Sequence, residues 1–142
     1  MPELNHEKIV KAYFNQHPDV SAVYIYGSYA MGRQHQKSDL DLGILFSNHD
    51  YGAQVEFMRR VIRELSRKLP MELHLVSVGE ANTILLKQLF TKGHPIVVNN
   101  PKHLALFKMR AYAQIADFGY AKQIMESGFL RKVTSATTEG HP

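Results

Sequence analysis

Apolar positions along this chain follow two periods, and the switches between them mark its elements. Ile9, Val10, Tyr13 and Phe14 fall on one helical stripe that ends before His17-Pro18. VSAVYIY (20–26) is β-branched and aromatic with no polar face, which predicts a strand covered on both sides. Residues 39–46 predict a second strand. Helical period returns over 53–69, with Val55, Met58, Val61, Ile62, Leu65 and Leu69 on one side, and Pro70 closes it. MELHLVSV (71–78) alternates as a third strand. A helix from about Glu80 to Phe90 follows, with Gly93 as its C-terminal residue. HPIVVN (94–99) predicts a short fourth strand. Residues 101–126 carry the longest helical pattern, with Leu104, Phe107, Ala111, Ile115, Phe118 and Met125 spaced by three or four, and the Phe, Met and Tyr residues of this stretch are expected to be mainly core. The expected order is α-β-α-β-α-β-α-β-α, an α/β (α+β) domain around one sheet, with one helix expected between the first two strands.

Composition narrows this to one folded domain. At 142 residues, with 44% hydrophobic and 21% charged residues, the chain has the make-up of a single globular unit. The domain is expected over 1–130; the small polar stretch TSATTEGHP leads us to expect a disordered tail over 131–142. The absence of cysteine removes disulfides, thiolate metal sites and a thiol nucleophile, and fits a reducing compartment. MPELNHEKIVKAYF carries acids and no long apolar run, so no signal peptide is expected, and no stretch reaches the roughly 20 apolar residues of a membrane span. A cytoplasmic protein is the expectation. A net charge of +4 suits an acidic partner or a polyphosphate ligand but is too small to predict direct nucleic-acid binding.

Candidate chemistry concentrates in IYGSYAMGRQHQKSDLDLGILF (25–46). Side chains two apart on a strand share a face, so Asp39 and Asp41 project together while Leu40, Leu42, Ile44 and Phe46 point into the core. Two carboxylates about 7 Å apart at their Cα atoms repel each other unless a cation sits between them. Hard divalent ions such as Mg²⁺ take carboxylates together with substrate phosphates. At the other end, Gly27 lets backbone amides turn toward a phosphate, and a short helix opening at Ser28 would aim its N-terminus at that anion. The competing reading is a turn and an edge strand with merely solvated aspartates. The glycine-serine turn at this spacing weighs against it.

GSYAMGRQHQKSDLDL resembles the signature of the nucleotidyltransferase fold related to DNA polymerase beta: Gly-Ser, ten residues, Asp-x-Asp. Ser38 before the first aspartate and the apolar run after the second also match. The resemblance extends more weakly through LLKQLFTKGHPIVV and AYAQIADF, and is nearest to minimal nucleotidyltransferases, in particular MntA-type antitoxins paired with HepT-type HEPN ribonuclease toxins. It implies a small mixed sheet flanked by helices with a long C-terminal helix. It also implies an ATP- and Mg²⁺-dependent transfer of AMP to a tyrosine of the cognate toxin, as in a type VII-like toxin–antitoxin pair. Carried over by position, Gly27, Ser28 and Ser38 would bind nucleotide, and Asp39 and Asp41 would bind metal. The family often has arginine where Met31 stands; Arg33 follows two residues later and is the expected phosphate contact.

Transferases of this fold add a third acid on a neighbouring strand, and Glu72 is the candidate for catalysis and metal binding. A carboxylate near a tyrosine hydroxyl, whose ordinary pKa is about 10, would help its attack at neutral pH. The alternative for Glu72 is a solvated strand start. His74 shares its face and reads more readily as a satisfied core or rim residue than as a ligand. Arg59, Arg63 and Arg67 make a basic stripe that reads as a solvated helix face rather than a docking surface for RNA or an acidic partner. Tyr112, Tyr120 and Met125 are candidates to extend into a partner groove. Transfer to a protein presented by a partner is favoured over transfer to a small molecule or RNA end, because no second domain is available to build an acceptor pocket. A non-catalytic toxin-binding module is the reading of another class, and it gives no reason to keep Gly27, Ser28, Asp39 and Asp41 together.

Overall fold

A computed structural model describes residues 2–27 and 39–126. Its elements in chain order are α1 (Pro2–Asn15), β1 (Val20–Tyr26), β2 (Leu40–Phe46), α2 (Tyr51–Leu65), β3 (Leu73–Ser77), α3 (Thr83–Lys92), β4 (His94–Val98) and α4 (Pro101–Glu126). Ser28, Arg33 and Ser38, the helix expected from Ser28 and the tail 131–142 lie outside the described residues, as do the side chains of Tyr120 and Met125.

The four strands form one mixed sheet in the order β3-β2-β1-β4. β1 runs antiparallel to both neighbours, and β2 runs parallel to β3 through the α2 crossover. Because β1 is central and flanked by helices on both faces, all seven of its residues are buried, as its uniformly apolar and aromatic run predicts. Val23 and Ile25 join Leu40, Leu42, Ile44 and Phe46 against Val10 and Phe14 of α1 and Met58, Val61 and Leu65 of α2. Ala22, Tyr24, Tyr26 and Leu45 form the opposite layer with Leu86 and Leu89 of α3 and Leu104 and Ala111 of α4. Gly43 lets α3 approach the sheet closely: a Cβ there would stand 2.8 Å from Leu89 Cδ2 and 3.0 Å from Val78 Cγ2.

Element boundaries depart from the periodic reading where side chains cap the helices. α2 begins at Tyr51, not residue 53, because Asp50 Oδ1 accepts from the Ala53 amide at 3.2 Å. It ends at Leu65, and a turn carries the chain to Leu69. Ile62 is 40% exposed, off the buried stripe to which it was assigned. Gln54 takes an unforeseen buried place, accepting from Ser77 Oγ at 2.6 Å and donating to the Asn48 carbonyl at 2.9 Å. α3 starts at Thr83 rather than Glu80, because Asn82 Oδ1 accepts from the Leu85 amide at 2.9 Å and Val78–Glu80 form a 3₁₀ turn. The expected strand 71–78 is paired only over Leu73–Ser77.

α4 corrects the expectation of a mainly core helix. Leu104 and Ala111 are buried, but Met109 is 70% exposed and Leu106, Tyr112 and Phe118 are also exposed. A helix of 26 residues is about 39 Å long, more than the strands of seven residues or fewer can cover. Among the described residues, no helix is long and apolar enough to cross a membrane.

Candidate active site

β1 ends at Tyr26, and the next residue leaves the sheet with a left-handed backbone: Gly27 has φ +74°. In the antiparallel ladder Tyr26 pairs with Asp41, and in the parallel ladder Asp41 pairs with His74. The register therefore places Tyr26, Asp41 and His74 side by side across three strands. One step earlier, the Leu40 amide donates to the Glu72 carbonyl at 2.9 Å, which brings Asp39 and Glu72 to the same sheet end. Asp39 and Glu72 each stand immediately before the paired strand rather than within it, a one-residue departure from the expected strand 39–46 at Asp39.

The acids converge on His74. Its Nδ1 lies 3.3 Å from Asp41 Oδ1 and 3.6 Å from Asp39 Oδ2, and its Nε2 lies 3.5 Å from Glu72 Oε1. Gly27 closes the floor: a Cβ at this position would overlap Asp41 Oδ2. The glycine is thus needed twice, for its backbone conformation and for the space its missing side chain leaves to a carboxylate.

Negative charge is concentrated at this end of the sheet. Burial raises the Asp41 carboxyl above its ordinary range, the nearby Asp39 charge raises it further, and His74 opposes both. Burial of the His74 ring works against its charge, yet Asp39, Glu72 and Asp41 together outweigh that and raise it. Burial, then the Asp41 charge, pushes the Tyr26 phenol up to about 12. Glu72 is the most open of the acids, with a 75% exposed side chain, while Asp41 is 23% exposed. Carboxylate oxygens are the donors hard divalent ions take, and Asp39 and Glu72 offer them within 4.8 Å of each other and of a His74 nitrogen, with Asp41 on the other side of the contact to His74 Nδ1.

Gly27, Asp39, Asp41 and Glu72 are therefore brought together as the sequence predicts. His74, read from sequence more readily as a core or rim residue than as a ligand, is half-exposed and within 3.3–3.6 Å of all three acids. The signal for it was its alternation with Glu72, but only the register of β2 against β3 turns that alternation into contact. Arg59, Arg63 and Arg67 are exposed on the outside of the α2 segment, and Arg59 pairs with Glu56 at 3.1 Å. Arg63 lines a cleft of about 450 Å³ with Asp19 and Phe46, at the opposite end of β2 from the acids.

A model of the polymerase beta nucleotidyltransferase domain matches residues 7–102. Over 94 residues the chain is 33% identical to protein adenylyltransferase MntA of Shewanella oneidensis strain MR-1, an alignment covering 66% of this chain and 65% of that protein. The match thus spans just under two thirds of that relative's length. Among solved structures, the chain resembles one from a toxin–antitoxin crystal with AMP-PNP, at TM-score 0.67 and 25% identity over 89% of this chain and 98% of the other. It also shares the fold of a chain in the complex of tri-AMPylated Shewanella oneidensis HEPN toxin with MNT antitoxin, at TM-score 0.62 and 23% identity over 92% and 99% of the two chains.

Proposed function

Because this chain belongs to the polymerase beta nucleotidyltransferase family, we propose that it is an antitoxin enzyme that moves AMP from ATP to a tyrosine of a partner HEPN ribonuclease toxin in the cytoplasm. The observation that carries this is the convergence of Asp39, Asp41 and Glu72 beside Gly27. The likeness to a protein adenylyltransferase supports the protein acceptor.

The residues take distinct parts in this reading. Gly27 and Ser28 cradle the triphosphate with backbone amides, and Ser38 and Arg33 contact it from the same segment. Asp39, Asp41 and Glu72 hold a divalent cation, with Mg²⁺ the ion the family resemblance implies. Such an ion would supply positive charge against the triphosphate and the pyrophosphate that leaves. Glu72, the most open carboxylate, faces the incoming acceptor and takes the proton from its tyrosine hydroxyl. The phenolic oxygen bonds to the α-phosphorus as the α–β bridging P–O bond breaks, and pyrophosphate leaves with that electron pair.

Intact-mass measurement of the co-expressed HEPN partner tests this. Wild type is expected to add one or more AMP groups, and Asp39→Ala/Asp41→Ala none. A partner that is neutralised yet unmodified by the wild-type chain would replace transfer with neutralisation by binding.

A further inference from the structure

His74 lies inside the carboxylate cluster, not beside it. Its two ring nitrogens face different acids: Nδ1 is turned to Asp39 and Asp41, and Nε2 to Glu72. One donor atom from each of Asp39, Glu72 and His74 can be chosen so that all lie within 4.8 Å of one another. Ligands of one ion with bonds of roughly 2.1 Å are separated by about 3 to 4 Å. Small side-chain rotations would therefore bring these donors onto a single centre. The placement follows from the fold, because the β2/β3 register pairs His74 with Asp41.

An imidazole in such a position changes the metal chemistry. Mg²⁺ takes oxygen ligands, demands near-ideal octahedral geometry and gives up water reluctantly. First-row transition ions accept imidazole nitrogen readily and bind mixed nitrogen–oxygen sites more tightly. We propose that His74 is a further ligand of the metal centre and that its nitrogen makes the centre prefer first-row divalent ions over Mg²⁺, a preference smallest for Mn²⁺, which serves as the spectroscopic probe. The inference rests on reading Asp39, Asp41 and Glu72 as cation ligands, and it sharpens the identity of the ion. A histidine acting only as a counter-charge to the three acids would leave the cluster when an ion enters and would impose no such preference.

The test uses the full chain alone, without nucleotide or partner. Mn²⁺ binding is followed by the loss of the free-ion EPR signal, Mg²⁺ binding by competition, and the bound ion's neighbours by pulsed EPR. The wild type is expected to show ¹⁴N modulation of bound Mn²⁺, retained in His94→Gln and lost in His74→Gln. Mn²⁺ affinity is expected to fall about tenfold or more in His74→Gln, and Mg²⁺ affinity by less than about threefold. Bound Mn²⁺ without ¹⁴N modulation in the wild type, or modulation that survives His74→Gln, would overturn His74 as a ligand while leaving the carboxylate site standing. No Mn²⁺ binding would overturn both, independently of whether AMP transfer is seen by mass.

Discussion

Gly27 and Asp41 depend on each other. An L-residue held at φ +74° costs about 1–2 kcal/mol, and a Cβ there would also displace the Asp41 carboxylate. Gly27→Ala is therefore expected to lower AMP transfer by about a hundredfold, since misplacing a reacting group by an ångström costs about that much. Single-turnover mass measurement checks it. Asp41 carries the opposite lesson. Its folded carboxyl is raised above the ordinary 3.8, so its stabilising contribution is complete below that pH and is lost as the pH rises through the folded value. Without metal, charging this carboxyl in its partly buried place works against the fold. Asp41→Asn is expected to raise the metal-free Tm at neutral pH while abolishing transfer, and the gain should vanish toward pH 3. Gly27, Asp39 and Asp41 were legible because their chemistry lies in local spacing. His74 was not, because what it touches is set by pairing between strands more than thirty residues apart in sequence.

At the scale of elements, periodicity located every described helix and strand but misplaced ends, since a helix begins where a side chain caps it and not at its first apolar residue. Asp50 and Asn82 are those caps. In α4 periodicity separated buried Leu104 and Ala111 from exposed Leu106 and Met109, but it also put Phe118, which is 44% exposed, on the covered stripe. The packing of α3 on β2 is a different case. It rests on the space at Gly43, which Leu89 and Val78 fill. Gly43→Val would force both side chains off their positions, and overpacking of this kind costs about 1–3 kcal/mol. Urea unfolding should show a lowered midpoint with an unchanged slope. An unaltered midpoint would mean that α3 shifts without loss.

The whole molecule assembles its site from the exit of β1 and the entries of β2 and β3. The carboxylates proposed to hold the ion stand at the entries of β2 and β3, which are brought together only by strand pairing, so an ion bound there would recognise the folded sheet and not the unfolded chain. Linkage then requires stabilisation by divalent ion, about 2.7 kcal/mol at a hundredfold excess over Kd. The Tm of the wild type is expected to climb with Mn²⁺ concentration, and that of Asp39→Ala/Asp41→Ala to stay level. Equal shifts in both would place the ion elsewhere.

The central strand has one more consequence. β1 is buried along its whole length and hydrogen-bonded on both sides, so its amides exchange with deuterium only when the sheet as a whole opens. Isotope uptake across Val20–Tyr26 should therefore report the global unfolding free energy. The stretch expected to exchange slowest ends one residue before Gly27, so the glycine proposed to cradle the triphosphate is anchored directly to the last part of the molecule to let go.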